Sequence, residues 1–353
     1  MKIIYDNLIF SWQRFGGISV VWSNLLQRML HRQANIGILE YEGAEEHNIS
    51  RKSLSIPSNI ITTLDKRFLK LKRYLNPSPS LIKEQEKFIF HSSYYRTMNH
   101  PDAVNITTVH DFSYELFESN KLARFIHCWQ KHRAIRHSDH IVCISENTRK
   151  DLFRILPDIS ANKVSVIYNG IDSRFHQIPN HTASQNFVLY VGKRDRYKNF
   201  NALINPLAQL GLYLKIVGPQ LTTEEIKAMK TAGLKYDYCG VVSDEQLNQL
   251  YNDAFCLLYT SLYEGFGLPI LEAQQAGCPV IAYNASSIPE VIGDKRLLLN
   301  SITKEELEEK IAILNSPLHR EKIIEKGIQN AARFSWDKMV DEYEKLYNLM
   351  LKE

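Results

Sequence analysis

Phe255-Cys256-Leu257-Leu258-Tyr259 runs through Thr260 and Ser261-Leu262-Tyr263 into Glu264-Gly265-Phe266-Gly267-Leu268-Pro269-Ile270-Leu271-Glu272-Ala273. A short apolar run bounded by turn residues reads as a buried strand. Proline suits the first turn of a helix, so Pro269 opens one. The stretch is therefore strand, Gly-x-Gly loop and helix. Gly265 and Gly267 leave backbone N–H groups exposed at the helix start, where a ligand can approach. Glu264 precedes the loop and Glu272 lies one turn into the helix. Both carboxylates can face one ligand and accept from vicinal hydroxyls of a sugar or ribose.

The same rhythm extends outward in both directions. In the first half, strand candidates are Lys2–Ile9, Ile36–Glu40, Phe88–His91, Ile106–His110, His140–Ser145 and Val164–Tyr168. In the second they are Phe187–Val191, Tyr213–Val217, Tyr236–Cys239, Phe255–Tyr259, Pro279–Tyr283 and Arg296–Leu299. Amphipathic segments such as Val20–His31, Leu122–His137 and Glu245–Asp253 fall between them. Alternating βα units predict an α/β fold with parallel sheets covered by helices. The 353 residues suit two such domains. Residues 172–186 are polar, contain Pro179 and lack periodicity, so they read as a linker. The expected division is 1–171, the linker 172–186, and 187–334. A final helix over 335–353 has Trp336, Met339, Val340, Tyr343, Leu346 and Tyr347 on one face. Ligands of such sheets bind outside the strands' carboxyl ends.

Composition narrows the class. Charged residues are 23% and the net charge is +4, low for a nucleic-acid partner. Residues 1–180 carry 24 Lys/Arg and 17 Asp/Glu; residues 181–353 carry 19 and 22. Five scattered cysteines without a CxxC read as reduced thiols. No apolar run reaches the ~20 residues of a membrane span, and the N-terminus does not read as a signal peptide. The expected location is cytoplasmic, or peripheral on the inner membrane face.

Two further loops carry candidate chemistry. Phe15-Gly16-Gly17-Ile18 lies between a strand and a helix, where paired glycines suit a phosphate or merely a tight turn. Tyr190-Val191-Gly192-Lys193-Arg194-Asp195-Arg196-Tyr197-Lys198-Asn199 places four cations after a strand. Such a cluster suits a diphosphate, although a solvated basic loop has the same composition. No dinucleotide fingerprint is present.

Together these residues resemble the family 4 retaining glycosyltransferases. The match rests on Glu264 to Glu272, which follows the family's E-x7-E signature, and on Ala276–Ala282 after it. Thr108-Val109-His110-Asp111, Ile144–Thr148, Val166–Asp172, Gly192–Asn199 and Gly240–Leu247 extend it over nearly the whole chain. The resemblance implies the GT-B architecture: two Rossmann-like domains facing across a cleft, with the last helix returning to the first. It assigns Arg194 and Lys198 to the donor diphosphate, with Gly16, Gly17 and Gly192 alongside. Glu272 falls to the ribose, and Glu264 with the Gly265–Phe266–Gly267–Leu268 amides to the donor sugar. Val242 lies beside the base and His110 near the sugar.

The implied reaction is metal-independent, retaining transfer of a hexose from a nucleotide-diphosphate sugar, without a cofactor. The acceptor is expected to be a glycan, lipid-linked, in O-antigen, capsule or lipopolysaccharide assembly. Tyr94, Tyr95, Arg96 and Asp111 are the candidate acceptor residues. Lys66–Leu75 alternates basic and apolar residues, so it reads as an amphipathic helix for an anionic membrane surface. Alternatives are a soluble acceptor, as for glycogen or sucrose synthases, and a non-catalytic nucleotide-sugar-binding protein.

Overall fold

The computed structural model describes residues 1–181 and 186–352. The chain divides into two compact units, Met1–Gly170 with Trp336–Glu353, and Ile171–Ser335.

The first unit is built on seven parallel strands: β1 (Ile3–Asp6), β2 (Ile36–Tyr41), β3 (Ile61–Leu64), β4 (Phe88–Ser92), β5 (Ala103–Val109), β6 (His140–Cys143) and β7 (Val164–Val166). Their order is β3-β2-β1-β4-β5-β6-β7. The second unit has six: β8 (Val188–Val191), β9 (Tyr213–Val217), β10 (Lys235–Gly240), β11 (Cys256–Tyr259), β12 (Val280–Tyr283) and β13 (Leu298–Leu299). Their order is β10-β9-β8-β11-β12-β13. Each sheet reverses its winding once, between β1 and β4 and between β8 and β11. Adjacent connections leave those strand ends in opposite directions and open a crevice there.

Apolar runs expected as strands form the sheet interiors, but several boundaries differ. The first strand ends at Asp6, because Leu8–Trp12 turns into a short helix. The edge strand β3 was not among the expected ones. Its residues Ile-Thr-Thr-Leu are only partly buried, so no continuous apolar run marks it. The expected linker is not free chain. His176 and Ile178 donate backbone N–H bonds to Asn248 and Asn252, and His181 meets Asp253 at 2.7 Å, all on the helix Asp244–Asp253. Residues 182–185 of that segment lie outside the described residues.

The crevice of the first unit is filled from within. Asp6, at the end of β1, is buried beside Arg96, which follows β4. Arg96 Nε donates to Asp6 Oδ2 at 2.8 Å, and its Nη1 donates to Tyr41 Oη at 2.9 Å. Ser92 donates to the same carboxylate at 2.7 Å. This corrects the expectation that Arg96 grips an acceptor: both charges are spent on each other inside the unit.

The final helix, Trp336–Met350, packs on this unit. Its buried residues are the six of the periodic face. His91 is held between Tyr347 Oη at 2.7 Å and Thr108 Oγ1 at 2.9 Å, while Thr108 also meets Tyr343 Oη at 2.8 Å. Burial drives His91 down to about 3, so it is neutral near pH 7. At the rim, Arg28 bonds Asp337, and Arg32 reaches Asp341 and Glu344.

Lys66–Leu75 forms no amphipathic helix. Phe68 adopts φ 60°, and only one turn, Leu69–Lys72, is helical. Asp65 draws in Arg67 at 2.8 Å and Lys72 at 3.5 Å, which folds the basic run back on itself.

Removing one partner of a buried ion pair strands the other. Arg96→Ala should destabilise the first unit by about 3–5 kcal/mol, measured by urea denaturation. The double variant Asp6→Asn, Arg96→Met should recover much of that loss.

Candidate active site

The corresponding point of the second unit lies between β8 and β11. The β8 chain exits through Gly192 (φ 129°), a conformation that favours glycine. Gly218, after β9, sits against it. A Cβ at Gly218 would lie 2.3 Å from the Gly192 carbonyl oxygen, so only glycine fits there. The loop then carries Lys193, Arg194, Arg196 and Lys198 and closes in a 3-10 turn over Arg196–Lys198.

Arg194 is largely enclosed. Its Nε donates to Glu225 Oε1 at 2.9 Å, and Nη2 donates to the carbonyls of Pro219 and Gln220 at 2.6 and 2.8 Å. Its Nη1 is buried without a hydrogen-bond partner, and it is the guanidinium nitrogen facing the Gly192–Gly218 contact. Lys193 and Arg196 are exposed.

Lys198 crosses the crevice. Its Nζ lies 2.7 Å from Glu264 Oε1, and the two side chains are 20% and 11% exposed. The backbone doubles this link. Leu262 N donates to the Tyr197 carbonyl at 2.8 Å, and Thr260 Oγ1 to the Lys198 carbonyl at 3.1 Å. The loops after β8 and β11 are thus joined by one ion pair and two hydrogen bonds.

The Gly265–Leu268 loop is cradled by two serines after β12. Ser286 Oγ bonds both the N–H and the carbonyl of Glu264. Ser287 Oγ donates to the carbonyls of Glu264 and Phe266 at 2.9 and 2.8 Å. The Phe266 ring is buried against Phe334, with centroids 5.6 Å apart. The ring packs inward, which leaves the backbone of Phe266 as its candidate ligand group. Gly267 (φ 112°) then turns the chain into the helix Leu268–Gln275. Glu272 on that helix accepts from Tyr251 Oη at 3.1 Å, and burial lifts its carboxyl to about 7. Val242 lies partly buried just before the helix Asp244–Asp253, whose Ser243 and Gln246 form a capping box.

The other candidates lie in the first unit. Gly16 and Gly17 open the helix Gly17–His31, and the space a Cβ at Gly17 would take is empty. His110 follows β5, and desolvation with nearby Lys131 holds it down at about 4. Asp111 is a turn residue, its Oδ1 accepting from the Ser113 N–H and hydroxyl. Tyr94 and Tyr95 are buried against His127, at 6.0 and 5.7 Å. Tyr94, Tyr95 and Arg96 are therefore interior groups rather than an open acceptor surface, because local packing and Asp6 satisfy them.

Sequence reading did not single out Tyr251, Glu225, Ser286 or Ser287. The serines follow strand Pro279–Tyr283, and that position after a strand was the available signal. Glu225 lies within an ordinary capping box, so nothing in its local sequence points to Arg194.

Two family models together match residues 15–330. Residues 15–175 match "Glycosyltransferase Family 4", and residues 172–330 match "Glycosyl transferases group 1". Among curated proteins, the O-antigen chain mannosyltransferase B of Escherichia coli is 24% identical over 294 residues, covering 76% of each chain. Among solved structures, sucrose-phosphate synthase of Thermosynechococcus elongatus superposes with a TM-score of 0.76 at 16% identity, covering 100% of this chain and 99% of that one. The Anabaena HepE protein, in complex with UDP and glucose, gives 0.72 at 18%, covering 98% and 99%. The chain belongs to the family 4 glycosyltransferases of GT-B fold.

Because the folded Glu272 carboxyl titrates near 7 and its ordinary value is 4.5, the folded chain holds the proton more tightly. Stability should therefore fall as pH rises from 4.5 through 7. Glu272→Gln should melt above the native protein at pH 8, with the gap closing towards pH 4.5. A pH-independent gap in melting temperature would refute the buried acid.

Proposed function

We propose that the protein transfers a hexose, with retention of anomeric configuration, from a nucleotide-diphosphate sugar to a growing surface-polysaccharide glycan. The observation that carries this reading is the partly exposed Lys198–Glu264 pair between the loops after β8 and β11, with a buried Arg194 Nη1 that lacks a hydrogen-bond partner on the first of those loops. A diphosphate arriving there would replace Glu264 as the partner of Lys198. It would also supply the acceptor that Arg194 lacks. Glu264 would then be released to the hydroxyls of the donor sugar. The mannosyltransferase relative supports a hexose donor and a polysaccharide product.

Each group has a physical task in this reading. Charge builds on the departing diphosphate as the anomeric bond breaks, and fixed cations lower the barrier by meeting that charge where it develops. Lys198 and Arg194 do so from the loop after β8. Attack comes from the face the diphosphate leaves, and a phosphate oxygen takes the acceptor's proton. Glu272, when ionised, accepts the ribose hydroxyls. The reaction proceeds without a metal.

Lys198→Ala and Arg194→Ala should each lose about 10²–10³ in kcat, the range of a deleted charge stabiliser. Turnover near the native rate in Lys198→Ala would overturn the assignment. Saturating chelator should leave the native rate unchanged. The donor itself can be identified by thermal shift against GDP-mannose, UDP-glucose and dTDP-glucose, because a bound ligand stabilises the folded state by mass action. No shift with any nucleotide sugar would sink the reading.

A further inference from the structure

The helix Lys121–Arg136 presents its most apolar residues to solvent. Leu122 and Phe125 are each 68% exposed and Trp129 is 50% exposed. At 100° per residue these three positions fall within an arc of about 60°. Leu116 and Phe117, at the end of the preceding helix Ser113–Phe117, are exposed too. Single exposed apolar side chains are ordinary, but a contiguous aromatic and aliphatic stripe is not.

Within the helix every charged residue is a cation; Lys131 is buried on Glu115 and Arg136 pairs with Asp158, so its solvent-facing charge rests chiefly on Lys121 and Arg124. Residues 121–136 contain Lys121, Arg124, Lys131, Arg133 and Arg136 and no Asp or Glu. Lys121 and Arg124 are exposed, and Arg133 sits over the Trp129 ring at 5.6 Å. Beside the helix lies a cavity of about 630 Å³. Leu116, Phe125 and Ile155 give it apolar walls, and Lys121, Arg124 and Arg154 line it with cations. Glu115, Cys128 and His132 also meet there. Glu115 is paired with Lys131 at 2.8 Å and His132 at 3.1 Å, and Arg154 with Asp151 at 2.7 Å, so the positive charge of the rim rests on Lys121 and Arg124.

The segment once read as amphipathic adds to this surface. Phe68, Leu71 and Leu75 are exposed beside Lys66 and Lys70. Gln130 Nε2 donates to the Arg73 carbonyl at 2.6 Å, which fastens the segment to the helix. Arg73 is fixed in turn over the Trp12 ring at 3.6 Å.

We infer that the helix Lys121–Arg136, with Phe68 and Leu71 alongside, docks the first unit on an anionic lipid bilayer. Leu122, Phe125 and Trp129 enter the headgroup region, and Lys121 and Arg124 meet lipid phosphates. Charge complementarity selects this occupant: exposed rings ringed by cations match a surface that is apolar beneath and anionic above. Tryptophan suits that depth, having an apolar body and one N–H donor. Among the described residues no helix is long and apolar enough to cross a membrane, so the contact is interfacial. The inference deepens the acceptor side of the proposed function, since a docked first unit would meet a lipid-borne glycan.

The test uses the full chain and vesicles of phosphatidylcholine, with and without phosphatidylglycerol, at low salt. The native protein should sediment with the anionic vesicles, and its tryptophan emission should shift to the blue. Phe125→Ser with Trp129→Ser, and separately Lys121→Glu with Arg124→Glu, should each weaken binding at least about tenfold. Both variants should keep the native thermal shift with the nucleotide sugar, which excludes misfolding as the cause. Native protein left in the supernatant overturns the inference, as does equal binding to neutral vesicles. Full binding by either variant overturns it as well. Self-association that these substitutions abolish, with no lipid binding, would make a second copy the occupant and also refute it. Turnover on a water-soluble acceptor reports separately on the proposed function and should be unchanged in both variants.

Discussion

The ion pair between Lys198 and Glu264 joins the loops after β8 and β11, the two loops that carry the candidate site. Parallel sheets that wind outward from their middle strands part at one point, and the second unit parts between β8 and β11. A cation on one side of that point and a carboxylate on the other hold the loops in register while staying partly exposed. The pair is partly buried, so its Coulomb attraction is stronger than at a fully wetted surface, yet neither charge is locked away. A diphosphate can take over the lysine without breaking the fold, because two further hydrogen bonds keep the loops together.

The first unit shows the alternative fate of the same topology. Its parting between β1 and β4 also holds one acid and one base, Asp6 and Arg96. There the pair is wholly buried and further bound by Ser92 and Tyr41, so the crevice becomes core. His91, next along, is neutral and enclosed by Thr108 and Tyr347. Buried polar groups persist when every partner is supplied, and here the final helix supplies two of them through Tyr343 and Tyr347. That helix therefore completes the polar interior of the first unit as well as covering its apolar face.

Much of the donor site was legible because its requirements are local. A glycine that must take positive φ, a proline that opens a helix and cations clustered after a strand are readable within ten residues. Gly192, Gly267, Lys198, Glu264 and Glu272 were singled out that way as candidates. Partners distant in sequence were not: Glu225 for Arg194, Tyr251 for Glu272, and Ser286 and Ser287 for the sugar loop. The acceptor residues show the reverse error. Tyr94, Tyr95 and Arg96 look polar and exposed along the chain, and only the burial of Asp6 reveals why an arginine belongs inside. The basic run 66–75 misled for a similar reason, since its alternation has helical spacing but Phe68 and Asp65 break the helix.

By itself the sequence determined the α/β class, the repeated βα units and the strand-end loops that carry glycine, cation and carboxylate. These follow from periodicity and from backbone conformations that only certain residues tolerate. The tertiary structure alone decided which charges remain available. Whether an acid and a base become core or stay open at a crevice depends on what packs over them. For Asp6 and Arg96 those neighbours come from distant parts of the chain, whereas Lys198 and Glu264 keep 20% and 11% of their side-chain surface exposed. The same holds for the helix Lys121–Arg136, where what packs beneath it leaves its apolar residues facing water.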